Sequence, residues 1–166
     1  RILKSAQRKI LDEILSKIPV SDYAHGFLKD KSVISGATSH PTQPGLVINM
    51  DLEDFFPTIT FERIRGMFHS FGYSGHISSL LALLCTYCER TAIEVKGKIK
   101  YVATTRRILP QGSPASPMIT NIICRRLDKR LSKLSESLEI TYTRYADDMS
   151  FTINDEMKVE LGRFTG

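Results

Sequence analysis

Three aspartates stand out by type and by neighbourhood. Asp147 and Asp148 are adjacent in ITYTRYADDMSFTI, residues 140–153, between two runs of Ile, Tyr, Thr, Phe and Met. Asp51 follows the apolar run GLVINM, residues 45–50, and precedes LEDFFPTI. Neighbouring carboxylates repel, and solvent, a shared proton or a cation relieves the repulsion. A turn also keeps aspartate for a local reason, because the side chain bonds its own backbone there. Glu53 and Asp54 lie close to Asp51. Alternation along an extended chain turns Glu53 away from Leu52's side, but the strand is ending and periodicity does not exclude it.

Such acids need strands to hold them. The β-prone runs around Tyr145-Ala146-Asp147-Asp148 predict a strand–turn–strand hairpin. Residues 46–52 read as a central strand. Between them LPQGSPASPMITN, residues 109–121, is a Gly/Pro-rich turn feeding a long helix from Ser116. Ile119, Ile122, Ile123, Leu127, Leu131, Leu134 and Leu138 recur there every three or four residues, with Arg125, Arg126, Lys129, Arg130 and Lys133 opposite. Residues 1–18 predict an amphipathic helix ended by Pro19, and 19–44 a long connection. Thr60 caps a helix to about residue 71, and 77–88 is a second helix, apolar enough to be buried. Residues 92–95 and 99–104 form a hairpin around Lys96-Gly97-Lys98. The fold class is α+β, an antiparallel sheet packed on helices.

Composition sets the outer bounds. The 166 residues suffice for one domain with a core, and 42% hydrophobic content argues against disorder. The chain has no run of 18 apolar residues and no signal peptide, which predicts a cytoplasmic protein with no membrane partner. Twenty-three basic residues against 18 acids give +5, which suits a nucleic-acid partner without demanding one. Three cysteines read as free thiols. Cys85 and Cys88 form a lone CxxC at the end of an apolar helix, for which core burial outweighs zinc binding.

Taken in order, LKSAQRKIL (3–11), AHGF (24–27), DLEDFFPTI (51–59), LPQGSPASP (109–117), CRRLDKRLSKL (124–134) and YTRYADD (142–148) resemble the bacterial reverse transcriptases of the retron and group II intron group, retron enzymes most closely. The resemblance implies a right-hand polymerase fragment: a palm with part of the fingers and no thumb. Residues 1–166 would be a single domain, about 1–44 fingers-like, 45–166 mainly palm, with a fingers-like hairpin near 92–108.

It also implies an RNA-directed DNA polymerase that uses dNTPs, an RNA template and a DNA or RNA primer. Two Mg²⁺ ions, with Mn²⁺ as a substitute, would serve the transfer. By the family's pattern Asp51 and Asp147 bind them with the Leu52 carbonyl helping, and Asp148 binds more loosely. Phe56 matches the ring beneath the incoming sugar that selects deoxynucleotides, while Phe55 reads as core. Gln111 and Gly112 match the contact to the incoming nucleotide; Ser113, Pro114 and Ala115 line the template side. Arg125 and Arg126 offer charge to a phosphate backbone or form a solvated face. Lys31 sits where the family's loop carries an arginine. Gly36-Ala37-Thr38-Ser39-His40 matches the retron Asn-Ala-x-x-His signature with Gly for Asn. Retron resemblance further implies a cognate non-coding RNA and an effector protein in phage defence. A group II maturase, a CRISPR-associated reverse transcriptase, and a catalytically silent palm that binds RNA or protein are the alternatives. Phe164-Thr165-Gly166 comes too early for the retron Val-Thr-Gly signature, and little of the fingers precedes residue 3.

Overall fold

The apolar spacing from Ser116 onward folds as one 22-residue helix, α5 (Ser116–Ser137). The computed structural model of the chain describes residues 1–153; Phe164-Thr165-Gly166, weighed above against the retron signature, lies outside them. In chain order the other elements are α1 (Ile2–Glu13), α2 (Val33–Ala37), β1 (Leu46–Met50), α3 (Phe61–Ser70), α4 (Gly75–Cys85), β2 (Arg90–Val95), β3 (Lys98–Ala103), β4 (Thr141–Tyr145) and β5 (Asp148–Ile153). Contacts divide the chain into two units of two segments each: 1–18 with 54–123, and 19–53 with 124–166.

In the first unit, α1 buries Gln7 and Ile10, and the Gln7 amide donates to the Leu84 carbonyl at 2.9 Å, tying α1 to α4. Helix α3 follows Thr60 and buries Ile64, Met67 and Phe68. Helix α4 is shorter and more exposed than its composition predicts. It ends at Cys85 rather than 88, because Tyr87 leaves the helix to exchange backbone bonds with Ile108. Only Ser78, Ala82 and Cys85 are buried, whereas Ile77, Leu80 and Leu83 face outward. Strands β2 and β3 form the expected hairpin, two residues longer at its start, around Lys96 and Gly97. Both turn residues have positive φ, the type I′ pattern that matches strand twist. Burial pushes the Cys85 thiol up to about 12, and Cys88 Sγ accepts from Arg107 at 3.4 Å. Cys88, expected in the core with Cys85, is only half-buried, because the chain has left the helix by then.

In the second unit, an antiparallel sheet runs β1-β5-β4. The middle strand is β5, not the 46–52 segment; β1 lies at the edge of the described sheet and ends at Met50. The burial pattern explains this order. Strand β5 is bonded on both sides and buries Met149, Phe151 and Ile153, whereas β1 leaves Leu46 and Val47 exposed. The β5 residues join Ile140 and Tyr142 in a core that Leu127 and Leu131 of α5, Ile48 and Leu52 pack against. The long connection 19–44 is not structureless. Ser32 and Ser35 cap each other's backbone N–H reciprocally and start α2.

Candidate active site at the acidic turn

Tyr145 pairs with Asp148, so Ala146 and Asp147 alone make the β4–β5 turn. Ala146 has φ +59°, and Asp147 is not among the positive-φ residues, which is the type II′ pattern. That first turn position favours glycine; a buried alanine there must be held by its surroundings.

Strand register brings the third acid in. The β1–β5 ladder ends at Met50 opposite Met149, and one further step sets Asp51 opposite Asp148. The Leu52 N–H then donates to the Asp147 carbonyl at 3.3 Å, extending the pairing past the strand's end. On β5, Met149 and Phe151 face the core, so Asp148 lies on the other face with Ser150, whose hydroxyl donates to Asn49 at 2.9 Å. Asp51 and Asp148 are exposed, and Asp147 is half-buried. Asp51, Leu52, Asp147 and Asp148 are therefore gathered at one sheet end.

The AHGF segment braces this turn along the outer edge of β4. Arg144 N–H donates to the Tyr23 carbonyl at 2.8 Å and His25 N–H to the Arg144 carbonyl at 2.7 Å, a parallel bridge centred on Ala24. The Tyr23 and Phe27 rings lie 5.8 Å and 6.4 Å from those of Tyr142 and Tyr145. Between them Gly26 presses on the turn itself: a Cβ there would stand 2.6 Å from the Ala146 nitrogen.

Beneath the turn, Arg144 is fully buried and ion-paired with equally buried Asp128 of α5. Its Nε and Nη2 donate to the two carboxylate oxygens at 2.7 and 2.8 Å, and Nη1 donates to the Ala146 carbonyl at 2.7 Å. The Tyr142 hydroxyl donates to the same carboxylate at 2.9 Å. Burial alone would lower the Arg144 pKa, but the Asp128 carboxylate outweighs it and keeps the guanidinium charged. Burial and the adjacent Asp128 carboxylate push the Tyr142 phenol far above its usual range.

On the opposite face, His40 links two strands: its ring nitrogens hydrogen-bond the hydroxyls of Thr143 and Thr152 at 2.8 and 2.7 Å. His25 bonds Ser35 at 2.8 Å. Desolvation lowers the pKa of both imidazoles, holding them neutral.

The remaining residues singled out in the sequence have plainer settings. Lys31 turns its ammonium onto the Asp22 carbonyl, while Arg125 and Arg126 are exposed on α5. In the first unit, Phe55 is buried as expected, and half-buried Phe56 meets it edge to face with ring centres 5.5 Å apart. Gln111 is exposed beside Gly112, whose φ of +76° requires glycine. Ser113 is buried and Pro114 half-buried, and the Ser116 hydroxyl donates to the Pro110 carbonyl at 2.6 Å, closing that turn. A backbone bond from Leu109 N–H to the Ile59 carbonyl, 2.9 Å, ties the segment after Phe56 to the one before Gln111.

Among the described residues no group of three or more His, Cys, Asp or Glu forms a metal cage. The donors at the sheet end are all hard oxygens, few in number and open to solvent. That set fits Mg²⁺, which takes one or two carboxylates and completes its shell with water and substrate phosphates, and it does not fit zinc. No described helix is long and apolar enough to cross a membrane.

Residues 1–162 match the family described as reverse transcriptase (RNA-dependent DNA polymerase). The chain is 45% identical over 150 residues to the retron Mx162 reverse transcriptase of Myxococcus xanthus, covering 90% of this chain and 31% of that protein. It is 41% identical over 163 residues to the retron Mx65 reverse transcriptase of the same organism, covering 98% and 38%. Against the retron Ec86 reverse transcriptase of Escherichia coli it is 37% identical over 163 residues, covering 98% and 45%. The chain thus spans less than half the length of these relatives.

Proposed function

The chain belongs to the reverse transcriptase family, and from that membership we propose that it is the palm and part of the fingers of a retron-type RNA-directed DNA polymerase. The observation that carries the reading is the register that sets Asp51 opposite Asp148, with Asp147 bonded to the Leu52 backbone beside them. Nucleotidyl transfer leaves the protein little covalent work; it must align a primer 3′-hydroxyl with the α-phosphorus and neutralise developing charge. Asp51 and Asp147 would hold the Mg²⁺ ions with the Leu52 carbonyl, and Asp148 would contribute more loosely. When bound there, the ions supply a lowered pKa for the attacking hydroxyl and charge for the phosphates.

The other residues bind and select. Phe56 lies beneath the incoming sugar and excludes a 2′-hydroxyl. Gln111 and Gly112 contact the nucleotide, Ser113 and Pro114 line the template path, and Lys31, Arg125 and Arg126 meet the phosphate backbone. A retron assignment carries with it a cytoplasmic setting, a cognate non-coding RNA as template and primer, and an effector protein, by family analogy.

The test is dNTP incorporation on an RNA template with Mg²⁺, the full-length protein beside its Asp147→Asn variant. Incorporation lost only in the variant supports the polymerase. RNA binding without incorporation in either protein would replace it with a silent binding palm.

A further inference from the structure

The acidic turn does not hold its own shape. Types I′ and II′ differ by rotation of the central peptide, as types I and II do, and in type I′ the second turn residue also takes positive φ. Here that residue is Asp147, and the central peptide is the one whose carbonyl belongs to Ala146. That carbonyl accepts from Arg144 Nη1 at 2.7 Å. A guanidinium is a rigid fork, and Asp128 of α5 takes its other edge through two oxygens, so its position answers to a partner outside the turn. The Tyr142 hydroxyl fixes the carboxylate in turn. With all four groups buried, rotating the peptide would strip the guanidinium of a partner where water cannot replace it.

We infer that Arg144, fixed by Asp128 and Tyr142, is a positioning residue for the reaction: its grip on the Ala146 carbonyl selects the turn geometry that aims the Asp147 carboxylate. The inference rests on the polymerase reading for its consequence, but the positioning itself has a separate readout. Arg144 is buried beneath the turn and meets it through the Ala146 carbonyl.

A buried ion pair can be replaced by apolar groups of similar size without loss of stability, which separates positioning from folding. The full-length triple variant Asp128→Leu/Tyr142→Phe/Arg144→Met removes the whole buried polar set. Four quantities are measured against wild type: thermal midpoint, kcat and KM for dNTP on an RNA template, and Mn²⁺ half-saturation by electron paramagnetic resonance. The expected result is a retained midpoint, kcat down about 10- to 100-fold with KM within twofold, and Mn²⁺ half-saturation raised about 10-fold, the scale set by groups that orient ligands from behind. Return of kcat and Mn²⁺ affinity together with the midpoint would overturn the inference, since a purely structural role ends there. If the triple variant does not fold, Arg144→Lys decides. It keeps the charge but cannot span Asp128 and Ala146, so kcat within twofold of wild type overturns the inference and a tenfold loss at unchanged KM upholds it. A wild type that incorporates no dNTP defeats the polymerase reading alone; weaker Mn²⁺ binding in the variants then still upholds the positioning, and equal binding overturns it.

Discussion

Gly26→Ala is a sharp perturbation because the obstacle is backbone. The added Cβ would stand 2.6 Å from the Ala146 nitrogen, 3.3 Å from the Tyr145 carbonyl carbon and 3.4 Å from the Ala146 Cα. Reaching ordinary contact near 3.4 Å requires the turn and the 23–27 strap to part by about 0.8 Å, a gap no rotamer change can absorb. Backbone strain does not confuse the result, because the Gly26 φ is not positive. Overpacking of this kind costs about 1–3 kcal/mol. Displacement of a reacting group by about 1 Å costs on the order of 100-fold in rate. The assay is single-turnover dNTP incorporation on an RNA template, well below the thermal midpoint of each protein. The expectation is a 30- to 100-fold slower step, on the order of the cost of such a displacement. Gly66→Ala serves as control, since nothing lies within 4 Å of a Cβ at that helical position. If Gly26→Ala turned over within twofold of the control, the strap would have no role in setting the turn.

Other expectations are briefer. Gly66→Ala should raise stability by about 0.5–1 kcal/mol, read from chemical denaturation, because a helix-interior glycine is relieved with no clash. His25 and His40 have lowered pKa values when folded, so below about pH 6.5 the unfolded chain binds more protons and stability falls as pH drops. The thermal midpoint should therefore be level above pH 7 and decline towards pH 5.5, with a shallower decline in His40→Gln; equal slopes would remove His40 from the account. Phe56→Ala should admit ribonucleotides at the expense of sugar selectivity, and an unchanged ratio would return that ring to the core it touches through Phe55.

Local pattern carried much of this molecule. The three- and four-residue spacing that writes α5, the β-prone runs of the acidic hairpin and the Lys-Gly turn of β2–β3 are each set by neighbours within a few residues. Long-range pairing was not legible. Asp128 sits in RRLDKRL and reads as one more solvated charge, yet its partner arrives 16 residues later on a strand and both are buried. The strand order followed the same rule: nothing in residues 46–52 reveals that β5, about 100 residues away, takes the middle of the sheet. Helix α4 failed for another reason. Its Ile77, Leu80 and Leu83 are apolar but exposed, and composition reports hydrophobicity rather than what covers it. The signal for α2 was present in Ser32-x-x-Ser35 but marks only a five-residue helix. Gly26 lay within a motif, though only the packed turn shows why that position admits no side chain.

The pairing of β1 with β5 also fixes an order of events during synthesis. Met50 and Met149 are about 100 residues apart along the chain, so the strand that ends beside Asp51 leaves the ribosome long before its partner exists. Closing a loop of that length costs about 4 kcal/mol by the logarithmic rule, against little for the two-residue β4–β5 turn. At about 5–20 residues per second, β1 waits several seconds with its backbone groups unpaired. The local hairpin bearing Asp147 and Asp148 can form as soon as it emerges; Asp51 docks against it afterwards. Nascent chains halted before residue 148 would therefore hold Asp51 but no assembled acidic site, and a slow codon tract between residues 54 and 140 would lengthen the exposure of an apolar edge, LVINM, to chaperones and to other nascent chains.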